Sequence, residues 1–294
     1  MAYFLQQILN GLGDAVIYAS LGLALVLIYR TTNIANFAQG EMATFSAYLA
    51  WQATDWGIPL GWAVLLAMAL SIVIGVVVYL VVVRPVQYKD ELTIIIVTLG
   101  LFLAFNSATG AIWGFLQKAV PSLFLDRLLI NAGGVRVTYE LVGTMLVLLA
   151  IAVGMFLLFQ KTRLGMALRA AASNPVSAKL VGIPFIAMMA IGWGMAAALG
   201  ALSGVLVAPR LTLDPNMMGV IIIYAFAAAV VGGLSSYRGA VVGAAVVAVS
   251  QSLSMAYLPW LGADLQIVVP LLLIVVVLIV KPEGLFGNTV VARV

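Results

Sequence analysis

The sequence contains no cysteine and no histidine, and only 8% of its 294 residues are charged. Without cysteine there is no thiol chemistry and no disulfide, although this locates the chain in no particular redox compartment. Without histidine there is no imidazole metal site and no imidazole general base. A soluble domain carries roughly 25% charged residues, so the scarcity of charge excludes a soluble enzyme, a disordered tail and a nucleic-acid-binding domain. What fills the chain is apolar: 65% hydrophobic residues and a mean hydropathy of +1.20. The reading is an all-α, multi-spanning membrane protein, with residues 1–294 as one transmembrane domain and the lipid bilayer as its surroundings. The net charge of +4 belongs to basic residues lying between apolar runs, which points to membrane topology rather than to nucleic acid.

A membrane-crossing helix needs about 20 mostly apolar residues. Eight stretches satisfy this, at 8–28, 60–83, 93–113, 139–159, 186–207, 218–233, 239–257 and 264–281. A ninth, 34–53, is shorter and more polar and contains Asn36, Gln39, Gly40 and Glu41, so a helix starting there is expected to be broken or buried. Stretches 60–83 and 264–281, rich in Val, Leu and Ile, are the best candidates to face lipid. Met1 to Asn10 carry no Lys or Arg, so no cleavable signal peptide is expected and the first apolar run reads as a span. Gly, Ala and Ser are dense in runs such as AALGALSGVLVA, which allows close helix approach.

Basic residues set the orientation. With nine crossings and the N-terminus outside, ten fall on the cytoplasmic side (Arg30, Arg84, Lys89, Lys161, Arg163, Arg169, Lys179, Arg238, Lys281, Arg293) and four outside (Lys118, Arg127, Arg136, Arg210). This favours N-out and C-in. Eight crossings with both ends cytoplasmic is the alternative, should 34–53 not cross.

Residues 160–185, QKTRLGMALRAAASNPVSAKLVGIPF, are too polar to span and too rich in Ala and Leu for a plain linker. A helix over about Gly165–Ala172 would place Met166, Leu168, Ala170 and Ala171 on apolar faces and Arg169 outward. Asn174 then caps a second short helix that has Pro175 at its first position, runs over Val176–Val181 through Leu180, and stops at Gly182. Two readings fit this pattern: an amphipathic pair lying on lipid headgroups, or an element that docks in a cleft of another protein.

This loop is similar to the coupling loop of ABC importer permeases, and more closely to the LivH-type permease subunits of branched-chain amino-acid importers. Three further stretches carry the same resemblance in the same order: NIANFAQGEM at 33–42, VVGGLSSYRGAVVGA at 230–244 and KPEGLFG at 281–287. Leu234 departs from the pattern, where the family usually has glycine in a tight turn, and Tyr237 and Arg238 make that turn bulkier. The resemblance implies two cytoplasmic ATP-binding subunits, a second related permease and an external solute-binding protein as partners. It also implies a bacterial inner-membrane location, and coupling to the ATPase through Arg163, Gly165, Arg169, Asn174, Pro175, Leu180 and Gly182. ATP and magnesium would be held by those partners. No cofactor is expected on this chain: the one Lys-Thr pair, Lys161-Thr162, follows Gln160 rather than the glycine-rich lead-in of a phosphate loop.

Ionisable and broken elements inside spans are functional candidates. Asn36, Gln39, Gly40 and Glu41 form one such break and Gly232-Gly233 the other, so both are assigned to the translocation pathway or to helix breaks. Glu41 also reads as a structural brace to free backbone groups. Asp14 is close to a span end. Gln251 and Asn106 read as interhelical glue. The function expected is the permease subunit of an ATP-driven importer of branched-chain or related amino acids, not itself an enzyme. A urea or short-chain amide permease is the neighbouring alternative, and an ion-coupled secondary transporter a more distant one. A membrane enzyme lacks convergent catalytic groups.

Overall fold

The computed structural model describes residues 1–287 other than Asn33, Asp126, Pro259, Leu261, Ala263 and Asp264. Arg293 of the orientation argument, Asn33 of the 33–42 stretch and Asp264 at the start of the last apolar run therefore lie outside the described residues. Eleven helices and one β-hairpin occur among the described elements, in the order α1 (Ala2–Thr32), α2 (Gln39–Asp55), α3 (Leu60–Val78), α4 (Glu91–Trp113), β1 (Leu128–Ala132), β2 (Val135–Thr138), α5 (Tyr139–Lys161), α6 (Arg163–Ser173), α7 (Pro175–Leu180), α8 (Phe185–Leu211), α9 (Ile221–Gly232), α10 (Tyr237–Tyr257) and α11 (Val268–Val280). A π-helical turn, Tyr79–Val83, continues α3.

Among the described residues, six helices are long and apolar enough to cross a membrane: α1, α3 with its π turn, α4, α5, α8 and α10. The chain is a helical, multi-pass membrane protein. Helices α2, α9 and α11 are shorter, at 17, 12 and 13 residues. At about 1.5 Å per residue they are roughly 18–26 Å long, under the ~30 Å of a hydrocarbon core. The ninth apolar stretch does not become a helix from residue 34; helix begins only at Gln39. Apolar residues 218–220 likewise precede α9 as turn. Exposed Leu65, Val73, Val77, Leu272, Ile279 and Val280 agree with the lipid-facing assignment of α3 and α11. Helices α4 and α5 are still less covered, with 11% and 17% of their apolar windows buried against 33% for α3. Composition missed this, because Thr98, Asn106, Ser107 and Thr109 in α4 and Glu140 and Thr144 in α5 make these helices read as less apolar than α3.

The chain forms two compact units whose limits fall inside α1, α5 and α9: residues 1–26, 124–152 and 223–294 in one, and 27–123 and 153–222 in the other.

In the first unit, Leu23, Val26, Ala229 and Ala240 form a buried cluster onto which Leu148, Leu234 and Tyr237 pack. Leu234 is thus accommodated where a glycine was expected: its side chain supplies apolar cover, and the positive φ that the turn needs falls on Gly233, at +103°. Tyr18 donates to Gln251 Oε1 at 3.0 Å, joining α1 to α10, and Ser252 donates to the Gln7 carbonyl at 2.8 Å. The hairpin turns through Gly133 and Gly134, both at positive φ.

In the second unit, α8 is the inner helix, lined with Gly and Ala, and packs on α2 and α3. A Cβ at Gly75 of α3 would lie 2.5 Å from the Trp193 carbonyl oxygen, so the close α3–α8 crossing needs glycine there. Ser71 donates to Ser46 at 2.7 Å, a polar link between α3 and α2. Asp90 caps α4 by accepting from the Thr93 backbone N–H at 3.0 Å and its hydroxyl at 2.8 Å. Those bonds, the hydroxyl's first, hold the Asp90 carboxyl below its ordinary range.

Candidate functional site

Three clusters contain the residues singled out by the sequence. The first is the α6–α7 loop. Thr162 Oγ1 caps α6 by accepting from the Gly165 N–H at 3.0 Å, and Asn174 Oδ1 caps α7 by accepting from the Ser177 N–H at 2.9 Å. Pro175 sits at the first position of α7, where its missing N–H costs nothing. The helix ends at Gly182, at φ +81°; the Ile183 N–H bonds to Ala178 O at 2.9 Å and the Gly182 N–H to Lys179 O at 3.1 Å. This is a Schellman closure, and it needs the left-handed residue. The loop is therefore self-capped at both starts and at its end.

Which face turns inward differs from the helical reading of the sequence. Gly165, Leu168 and Ala171 are buried, at a spacing of three, whereas Met166 and Ala170 face outward. The shift follows from Gly165: a Cβ there would overlap the Leu158 carbonyl, so α6 lies directly on the last turn of α5 and the Gly165 stripe is the one covered. Arg169 is half-buried rather than outward, and its Nε is enclosed with no partner among the described residues. Arg163, Asn174 and Gly182 are exposed. On α7 and its exit, Val176, Leu180 and Val181 are 69%, 83% and 74% exposed, an apolar patch with Lys179 beside it. Val176 and Val181 were not singled out from the sequence, because a six-residue helix is too short to show a period.

The second cluster is the entry to α2. Asn36, Gln39, Gly40 and Glu41 are all buried. Asn36 Oδ1 accepts from the Ala38 N–H at 3.1 Å while its Nδ2 donates to Gln39 Oε1 at 3.2 Å. Gln39 Nε2 donates to the Ala196 carbonyl in the middle of α8 at 2.9 Å. Asn106 Nδ2, on α4, donates to Glu41 Oε2 at 3.2 Å, to Pro215 O at 3.0 Å and to Asn216 Oδ1 at 3.0 Å. A Cβ at Gly40 would lie 3.2 Å from Ile222 Cβ and 3.4 Å from Met218 Cβ. The first turn of α2 thus meets the entry to α9, so two shortened helices begin next to each other. Residues 214–216 were missed by sequence reading; their only signal was one acidic residue in a short DPN turn.

The third cluster lies in the other compact unit. Gly232 and Gly239 are in backbone contact, and a Cβ at Gly233 would lie 2.7 Å from the Gly287 nitrogen. The Leu285 and Phe286 N–H groups donate to the carbonyls of Val231 and Gly232, each at 2.9 Å. Two sequence stretches about 50 residues apart, 230–244 and 281–287, are therefore one structure: the KPEGLFG segment caps the C-terminus of α9.

Known proteins resemble this chain over nearly its whole length. The family model for branched-chain amino acid transport system permease components matches residues 7–278. The chain belongs to that family. The high-affinity branched-chain amino acid transport permease LivH of Escherichia coli K12 is 28% identical over 310 residues, covering 99% of this chain and 98% of that protein. The probable LivH of Methanocaldococcus jannaschii is 30% identical over 300 residues, covering 96% and 92%. BraD of Pseudomonas aeruginosa is 27% identical over 307 residues, covering 99% and 98%. Among solved structures, PsaBC from Streptococcus pneumoniae in complex with a Fab aligns at a TM-score of 0.50 with 11% identity, covering 97% of this chain and 94% of that one; this likeness concerns the fold alone. As an ABC permease component, the chain is a transport subunit.

Proposed function

We propose that this chain forms the membrane pathway of an ATP-driven importer of branched-chain amino acids and is driven from outside itself. The observation that carries the reading is the α6–α7 loop. A pair of short helices capped at both starts and at its exit holds its own shape, yet presents Val176, Leu180 and Val181 outward. A rigid element with an apolar outer face suits a cleft on an ATPase subunit, and its movement as one body would carry nucleotide-driven closure into α5 and α8, to which it is joined. The partners in this reading are two ATP-binding subunits holding ATP and magnesium, a second related permease and an external solute-binding protein, all at a bacterial inner membrane. Arg163, Arg169, Asn174, Pro175, Leu180 and Gly182 belong to the docking element, and Gly165 seats it on α5. The Asn36–Glu41 and Gly232–Gly233 breaks belong to the pathway.

The crossing count in this reading is nine, N-out and C-in, with α2, α9 and α11 spanning as shortened helices. Single cysteines replacing Ser173 and Thr54 would then label from opposite membrane faces with an impermeant maleimide; labelling from one face would remove a crossing. The function is tested by reconstituting the chain with and without its neighbouring subunits in vesicles. Leucine uptake should require ATP, the ATPase subunits and the binding protein. Accumulation by the chain alone would make it a secondary transporter, and ATP-dependent uptake of urea or amides in place of leucine would move it to the neighbouring cargo class.

A further inference from the structure

The pathway reading gives Glu41 a position but no chemistry. Glu41 is 1% exposed, and among the described residues the one side chain donating to its carboxylate is Asn106, at 3.2 Å. The same Nδ2 also serves the Pro215 carbonyl and Asn216 Oδ1, both at 3.0 Å. An amide has two N–H bonds for these three acceptors, and the carboxylate holds the longest of the three. Asp214 adds a second acid in the same turn; its Oδ1 accepts the Asn216 N–H at 2.8 Å.

A second observation points the same way. Tyr48 lies two turns beyond Glu41 on the same face of α2 and is completely buried, its ring stacked on Trp113 at 5.0 Å. Its hydroxyl has no partner among the described residues. A basic residue that the backbone brings beside this turn, Lys118, pairs with Leu213 through its main chain but rests its ammonium over the Trp51 ring at 4.0 Å. A carboxylate, a carbonyl and an amide oxygen thus share one Asn106 amide, with the Asp214 carboxylate in the same turn and an unpartnered phenol hydroxyl on the same face of α2; the group offers more acceptors than the Asn106 amide can serve. Buried acids in a membrane protein are costly unless a positively charged partner arrives.

We propose that Glu41 and Asp214, with the Pro215 carbonyl, Asn216 Oδ1 and the Tyr48 hydroxyl, form a receiving site for the ammonium group of the transported amino acid. An ammonium brings three donors and one positive charge to a cluster rich in acceptors. Asn106 positions Glu41 and yields its shared N–H when the cargo binds. This site rests on the amino-acid reading of the cargo.

The test uses the complete transporter in vesicles and two measurements. Dicyclohexylcarbodiimide modifies carboxyl groups in apolar surroundings, and mass spectrometry reads its adduct at Glu41. Leucine and isopentylamine should each slow that modification at least five-fold; isocaproate, which has the same carbon chain without the ammonium, and sodium chloride should not. Equal protection by isocaproate, protection by sodium chloride, or none by isopentylamine overturns the proposal. In the second measurement, Glu41→Gln keeps the shape and an acceptor for Asn106 but removes the charge. Uptake should fall at least ten-fold while the subunits still co-purify; uptake within two-fold of wild type makes Glu41 a brace and ends the proposal, whether or not the carbodiimide reacts. Wild-type uptake separates the two readings. If leucine is not carried but isopentylamine still protects, the cargo reading fails and the ammonium site stands. If leucine is carried and the amine does not protect, the site fails alone.

Discussion

Residues 36–41 and residues 162–183 both interrupt long apolar helices within the same compact unit, and they solve the interruption in opposite ways. At 162–183 the polar groups are spent locally. Thr162 and Asn174 cap the helices that follow them, and the apolar side chains Val176, Leu180 and Val181 are left outside. At 36–41 the polar groups reach across the unit, Gln39 to α8 and Glu41 to α4, and the side chains of Asn36, Gln39 and Glu41 are all inside. A break that satisfies itself can move as a body; a break satisfied by its neighbours is held by them. The first suits a lever and the second a pathway wall.

The largest effect should come from the exposed side. Leu180→Asp places a charge on a side chain that is 83% exposed, so insertion and thermal stability should not change. If Leu180 fills a cleft on an ATPase subunit, losing that anchor costs at least about 2 kcal/mol of binding. Leucine uptake should then fall roughly 30-fold, and the ATPase should no longer co-purify. Retained co-purification would place α7 on lipid headgroups instead and would undo half of the comparison.

The sequence made the caps legible more readily than the faces. Asn174-Pro175 and Gly182 each have one strong local meaning, and the structure uses them so. The inward face of α6 was misread because it is chosen by the contact of Gly165 with α5, which leaves no mark in an eleven-residue pattern. The hairpin was missed although Gly133-Gly134 stands between LLINA and VRVT, because the search for long apolar runs passed over short strands. At the buried break, Asn36 to Glu41 stood out as polar residues in an apolar stretch. Asp214 and Asn216 did not, since they are brought to this break by tertiary packing across more than 160 residues, and Tyr48 did not, since a tyrosine in an apolar helix reads as ordinary core. Pairing of the 230–244 and 281–287 stretches was likewise invisible until the backbone brought them together.

An intermediate effect should appear at the buried break. Gly40→Val would put its Cβ 3.2 Å from Ile222 Cβ, with two further methyl groups to house. Overpacking of this kind costs about 1–3 kcal/mol. The detergent-solubilised chain should melt several degrees lower, with uptake reduced in parallel. Gly40→Ala adds the Cβ alone and should fall between wild type and valine. An unchanged melting temperature for both would mean that the α2 and α9 entries can separate freely, and the contrast between a held break and a free one would fail.

The smallest effect discriminates most finely. Asn174→Ala removes the acceptor of the Ser177 N–H without touching the apolar patch. A lost N-cap costs about 1 kcal/mol, close to a five-fold change in the local opening equilibrium. Amide exchange in the α7 segment should speed up by about that factor, while the α8 core exchanges as before and the melting temperature stays within a degree. Asn174→Asp keeps the acceptor and adds a favourable charge at the helix start, so it should restore slow exchange. If α7 exchanges equally in all three proteins, its shape is imposed by its surroundings and not by its own caps. The loop would then be held in the way residues 36–41 are held, and a self-supporting lever would have to be sought elsewhere in the chain.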